Sequence, residues 1–274
     1  MRIVVLVDNV ADTARPFLLC EHGLSLLIEH DDHRILCDTG RSDAFLHNAR
    51  CLGIDVATID FALVSHGHDD HSGGLSAFFA AGGSKAYIHA NVAEERYFSS
   101  RKGRREISCD KGVLAANAGR IHYLTGSKEL FSGVFAVQCQ CRAHPMPNGN
   151  AFLTKISGEK EVPDDFSHEL SLAIITDAGL VVVSPCSHRG ALNIIDECMG
   201  ETGCSELLAF VGGLHFVDGD GCECEASLFA EEFVRLYPDA RLYTGHCTCD
   251  RAKMVLAANM ANVRFFSTGM AIEL

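Results

Sequence analysis

The sequence predicts an α/β fold in which one domain holds two mixed β-sheets flanked by helices. Three observations carry this. Short runs rich in β-branched and aromatic residues recur along all 274 residues. Helical patterns follow several of them. Two strand pairs, 24–29 with 34–37 and 172–176 with 180–184, are split only by turn-like residues. They read as hairpins, so neither sheet is purely parallel.

In chain order, strands are expected at 2–7, 24–29, 34–37, 61–65, 85–89, 134–139, 152–156, 172–176, 180–184, 207–211 and 241–243. Helices are expected at 43–52, 75–81, 191–199, 224–237 and 250–258. The two halves repeat one loose order, hairpins first and strand–loop–helix units after. There is no tandem repeat and no low-complexity linker, so the domain is expected to run over 1–274. The stretch 91–132 is less regular and reads as an insertion that could cap the site. It holds Arg101-Lys102-Gly103-Arg104-Arg105, more simply a solvated basic loop than a phosphate clamp.

The hydrophobic fraction of 47% is that of a globular protein. A formal net charge of −13 disfavours nucleic acid and anionic membrane surfaces, because both are bound by Lys and Arg. No apolar run is long enough to span a bilayer. Residues 1–8 read as a first strand rather than a signal peptide, so a cytoplasmic protein is expected. Thirteen cysteines are many for such a chain. Three pairs have C-x-C spacing, Cys139/Cys141, Cys222/Cys224 and Cys247/Cys249, and none has the layout of a structural zinc site. They are expected as thiols packed like small hydrophobes, with a metal or redox role as the alternative.

The informative segment is Ser65-His66-Gly67-His68-Asp69-Asp70-His71-Ser72-Gly73-Gly74. A buried strand ends at Ser65, and Gly73-Gly74 opens a helix. Imidazole nitrogens and carboxylate oxygens suit zinc, iron or manganese. Residues two apart in an extended segment project to one side, so His66 and His68 can converge on one ion. The chain then turns, and Asp70 and His71 can face a second ion beside it. Three histidines and two aspartates in six residues, at a strand end, are hard to obtain by chance.

The H-x-H-x-D-H pattern resembles the metallo-β-lactamase superfamily. The resemblance implies an αββα sandwich with metals at the sheet edge, His66 and His68 on the first ion, and Asp70 and His71 on the second. More of the chain resembles one branch, the dihydropterin–ribofuranosylaminobenzene phosphate synthase-like proteins. The matching pieces are Leu6-Val7-Asp8-Asn9, Glu21-His22-Gly23-Leu24-Ser25, Asp38-Thr39-Gly40, the histidine motif, Cys186-Ser187-His188-Arg189-Gly190, Gly212-Gly213-Leu214-His215 and Thr244-Gly245-His246-Cys247-Thr248.

Beside that motif, His188 becomes the candidate third nitrogen on the first ion and His246 the candidate for the second. Each stands where a strand ends and a helix begins. Hydrolases of this superfamily commonly bridge their two metals with an aspartate, and Cys186 sits where that carboxylate is expected. Cys186 as thiolate, shared water alone, or a carboxylate such as Glu169 are the alternatives. Asp38 is expected behind the ligands, because a metal-bound His usually gives its other N–H to a carboxylate; a turn or cap aspartate is the alternative. His22 and His215 are candidates for substrate contact or proton transfer, against ordinary core or surface histidines.

The expected cofactor is one or two divalent transition metal ions, zinc foremost, with iron or manganese as alternatives. The expected reaction is attack of metal-activated water on an ester, lactone or phosphoester, and the branch resemblance implies a small anionic substrate that bears a pterin or a phosphate. Asp70 would orient the nucleophile, and His22 or His215 would donate to the leaving group. Arg189, Arg101 and Arg104 are candidate phosphate contacts. The branch resemblance also implies a transferase variant with a phosphorylated arylamine acceptor. A non-haem iron redox protein and a non-catalytic metal binder are the other classes.

Overall fold

The computed structural model describes residues 1–274. It contains two compact units. The first takes in 1–125, 152–168 and 266–274; the second takes in 126–151 and 169–265.

The first unit is built on a seven-stranded sheet. Its order is Ala271–Glu273, Arg2–Val7, Ser25–His30, His33–Cys37, Phe61–Val64, Ala86–His89 and Ile121–Leu124. The pairings are antiparallel as far as His33–Cys37 and parallel beyond it. Ile3 to Val7 and Phe61 to Val64 are buried without alternation. Such runs are what a strand covered on both faces requires, and each large apolar side chain contributes about 1.5–3 kcal/mol by leaving water. The helices Ala44–Cys51 and Leu75–Ala80 place Phe45, Phe78 and Phe79 in the same core as these strands.

A smaller four-stranded sheet belongs to the same unit, ordered Lys160–Pro163, Leu153–Ser157, Arg96–Ser99, Arg105–Glu106. The stretch 91–132 therefore supplies strands to three sheets: Arg96–Ser99 and Arg105–Glu106 here, Ile121–Leu124 to the large sheet, and Lys128–Phe131 to the sheet of the second unit.

That second sheet also has seven strands: Val263–Phe265, Arg241–Thr244, Leu207–Val211, Gly179–Val183, Ser171–Thr176, Val134–Val137 and Lys128–Phe131. The first four are mutually parallel and the rest antiparallel. The helix Ala191–Thr202 buries Ala191, Ile194, Ile195 and Cys198, and Cys222–Leu236 buries Cys222, Ala226, Phe229, Ala230 and Phe233. Both stripes have the spacing of one helical face. Each unit thus combines a mixed sheet with helices, as the alternation of patterns predicts. No helix is long and apolar enough to cross a membrane.

Candidate metal centre

The side chains of interest leave the carboxyl ends of neighbouring parallel strands, where open α/β sheets gather their sites. In the first unit Asp38 follows His33–Cys37, and Ser65 to His71 follow the adjacent strand Phe61–Val64. In the second unit Cys186 and His188 follow Gly179–Val183, His215 follows Leu207–Val211, and His246 follows Arg241–Thr244. The backbone at these ends is forced. Asp38, Ser187, His215 and His246 have φ of 61°, 56°, 52° and 51°, a left-handed conformation that non-glycine residues adopt at a cost and that clusters at functional sites.

In the first unit, His68 is extended and the chain then makes one helical turn, Asp69–Ser72. The turn is wedged close to its neighbours: a Cβ on Gly73 would stand 2.1 Å from the Arg41 carbonyl oxygen. His66, His68 and His71 are all buried. Their rings cluster, His66 lying 4.4 Å from His68 and 4.2 Å from His71, centroid to centroid. Asp38 organises them from behind. Its carboxylate accepts from the Ser65 N–H at 2.6 Å, the Ser65 hydroxyl at 2.7 Å and His71 Nδ1 at 2.6 Å. Because the Ser65 hydroxyl donates to Asp38, it accepts from His66 Nδ1 at 2.8 Å. Both imidazoles thus carry their proton on Nδ1 and keep the Nε2 lone pair, the arrangement a metal ligand needs.

Asp70 lies at the solvent edge of this group. Its Oδ2 is 3.3 Å from His22 Nε2 and 3.7 Å from His71 Nε2. His22 is half exposed, and its Nδ1 is 3.3 Å from Asn9 Nδ2. Two further buried residues, Asp164 and His168, brace the loop. His168 Nδ1 accepts the Gly67 N–H at 3.0 Å and its Nε2 donates to Asp164 at 3.1 Å. Burial works against the Asp164 carboxylate, but His168 and His68 beside it hold its pKa well below the usual range. Burial lowers the pKa of His68 against the pull of Asp164, favouring the neutral, ligating form.

In the second unit, His188 is buried, and its N–H and that of Arg189 each donate to one Glu169 oxygen at 2.8 Å. Glu169 therefore fastens the turn that carries His188. Asn150 holds the ring: its Oδ1 is 3.1 Å from His188 Nδ1, and its Nδ2 donates to the His188 carbonyl at 2.7 Å. The His215 ring lies 4.2 Å from that of His188. Cys186, His246 and Cys247 offer three ligand atoms within 4.8 Å of one another. An apolar cavity of about 430 Å³ lies beside these turns, lined by Pro145, Met146, Ala191, Phe216, Leu228 and Phe229 among others.

Neutral imidazoles, carboxylates and thiols are the donors that zinc or iron takes, so the residues present fit a transition metal. The phosphate candidates are placed differently. Arg189 is buried. Arg104 pairs with Glu161 at 2.9 Å and lies over the Phe98 ring, and Arg101 is exposed. Asn150, Asp164 and His168 escape a reading of the sequence, because their partners lie 38, 96 and 101 positions away in the chain or belong to a histidine pair with no motif of its own. Cys247 is visible as half of a C-x-C pair and inside the piece Thr244–Thr248, with no role of its own assigned.

Residues 19–104 match the metallo-β-lactamase superfamily profile. The 7,8-dihydropterin-6-methyl-4-(β-D-ribofuranosyl)-aminobenzene-5′-phosphate synthase of Methanocaldococcus jannaschii is 26% identical over 266 residues, 92% of this chain and 89% of that protein. The crystal structure of Tm1679, described as a metal-dependent hydrolase of the β-lactamase superfamily, superposes with a TM-score of 0.83 at 29% identity, covering 100% of this chain and 99% of the other. Human tRNase Z, short form, shares the fold at a TM-score of 0.58 and 12% identity, covering 100% and 99%. The histidine motif, the two mixed sheets with their strand-end donors and these likenesses agree: the chain is similar over its length to the metallo-β-lactamase superfamily and has the fold and donor set of a metal-dependent, hydrolase-like protein.

Proposed function

We propose that the protein hydrolyses an ester, lactone or phosphoester bond in a small anionic molecule. The observation that carries this is the shared carboxylate of Asp38, which fixes the rings of His66 and His71 through their Nδ1 protons. In this reading His66, His68, Asp70 and His71 of the first unit, and His188 and His246 of the second, would be the ligands of one or two divalent ions, zinc foremost. A bound divalent ion supplies a Lewis acid and a water of lowered pKa. Asp70, at the solvent edge of the group, would orient the attacking water. His22, at hydrogen-bonding reach of Asp70 and half in solvent, carries protons between the site and bulk water. His215 is the candidate donor to the leaving group. The apolar cavity has the size of small-molecule pockets and suits the uncharged part of a substrate. No cysteine is in a disulfide, which suits a reducing cytoplasm.

The likeness to the dihydropterin–aminobenzene phosphate synthase over 92% of this chain favours a second reading. There the acceptor is a phosphorylated arylamine instead of water. One experiment addresses both. The protein, purified anaerobically and assayed for metal by elemental analysis, is offered a panel of esters, lactones and phosphoesters, and separately a dihydropterin with a phosphorylated arylamine. Turnover on the panel supports hydrolysis, and coupling supports transfer. Stoichiometric metal retained in both His66→Ala and Asp70→Ala would refute the ligand set.

A further inference from the structure

We propose that Cys186, His246 and Cys247 form a sulfur-rich metal position that binds a thiophilic divalent cation, zinc foremost, through two thiolates and one imidazole. The proposal rests on the metal-dependent reading above and deepens it, because it places two cysteines beside His246 on the ion that His246 would hold.

The three side chains come from two turns of one unit. Cys186 follows the strand Gly179–Val183, and His246-Cys247 follow Arg241–Thr244. Between these strands runs Leu207–Val211, parallel to both. It ends in Gly212-Gly213, so no side chain separates the flanking turns. A Cβ on Gly213 would stand 2.3 Å from Cys247 Sγ. The sulfur occupies the space that any other residue would fill.

The ligand atoms lie within 4.8 Å of one another, as atoms surrounding a single ion must. Cys186 and His246 are buried and Cys247 is partly so. The His215 N–H points at Cys247 Sγ at 3.2 Å. As a thiol, Cys247 directs its proton to the Cys186 carbonyl oxygen at 3.7 Å, a weak bond that is cheap to give up.

On binding, each S–H bond gives its proton to solvent and the sulfur lone pair goes to the cation. No electrons are transferred, and two protons are released per ion bound. Two thiolates and a neutral imidazole leave a divalent ion formally neutral. Soft sulfur donors favour zinc or ferrous iron over magnesium or manganese.

The full chain reconstituted with Co²⁺ alone provides the test. A thiolate-to-cobalt charge-transfer band in the near ultraviolet is expected. It should be halved in Cys186→Ser and in Cys247→Ser and lost in the double variant. The wild-type spectrum needs no variant to fold. Differential alkylation with peptide mass mapping should show Cys247 shielded by zinc, while exposed Cys20, Cys51 and Cys224 label equally with and without it. Stoichiometric cobalt without the band, or Cys247 labelling at an unchanged rate, would overturn the thiolate position and leave the His and Asp ligand set standing. No cobalt bound at all would overturn both.

Discussion

His71 Nδ1 donates to Asp38 Oδ2 at 2.6 Å, and both side chains are sealed from solvent. The same carboxylate takes two hydrogen bonds from Ser65, and through the Ser65 hydroxyl it sets the proton of His66. One buried anion thus fixes two candidate ligands of the motif. Asp38→Asn keeps the shape but sets an amide where three donors expect an acceptor. The variant should lose about 2–4 kcal/mol of stability and roughly 10- to 100-fold in metal affinity. Urea unfolding and competitive zinc titration read the two effects. Unchanged zinc affinity would mean that Asp38 serves the fold alone.

The turn Asp69–Ser72 depends on close backbone approach at its end. In Gly73→Ala the new methyl meets the Arg41 carbonyl oxygen at 2.1 Å and that of Asp69 at 2.7 Å. Backbone cannot swing aside as a side-chain tip can, so overpacking should cost about 1–3 kcal/mol. The displaced turn carries Asp70 and His71, and bound metal measured by elemental analysis should fall with stability. A variant as stable as wild type, with full metal, would show that the turn has slack.

Asn150 grips His188 at two points, ring and carbonyl. Asn150→Ala should cost about 1–2 kcal/mol for the lost bonds and weaken zinc binding about tenfold or more by freeing the ring. Calorimetric titration of the apo variant with zinc would reveal it. Weaker binding without any loss of fold would separate Asn150 from residues that serve packing only.

Acid should undermine the first unit through His89. Burial, with His168 and Lys155 nearby, lowers its imidazole to about 4. Its Nδ1 accepts the Asn91 N–H at 3.2 Å, a bond only the neutral ring can accept. The unfolded chain takes up the proton near the ordinary value of 6.5. Protonation below that value favours unfolding. The stability His89 contributes is complete above a pH of about 6.5 and is lost progressively as pH falls toward 4. In urea titrations the difference between wild type and His89→Gln should shrink across that window. A difference that stays constant from neutral pH to about 4 would contradict the assignment.

The strands legible from the sequence are those whose burial writes itself into the residues. Arg2–Val7 and Leu207–Val211 fall at the expected bounds, and Phe61–Val64 and Gly179–Val183 within a residue or so of them, because each is a continuous apolar run. The strands that pattern reading passes over are short and mostly peripheral. Ala271–Glu273, Val263–Phe265, Lys128–Phe131 and Lys160–Pro163 stand at sheet edges, where one side needs no partner and Lys, Glu and Pro are tolerated. Their pairing energy comes from strands elsewhere in the chain, so their own composition does not announce them. The helix Cys222–Leu236 begins two residues before its expected start, because Cys222 is buried under it, a packing fact that spacing alone does not carry.

The sequence by itself determined the α/β class, the hairpin-then-crossover order and the dense motif from His66 to His71, because these depend on neighbours within a few residues. Tertiary structure alone decided that Asp164 and His168 stand behind that motif and that Asn150 holds His188. These three act on groups up to 101 positions away, and Cys247 meets Cys186 across a strand that ends in two glycines. The reason is physical. Hydrogen bonds and metal coordination act over a few ångströms of space, and only the parallel sheets bring distant strand ends within that reach.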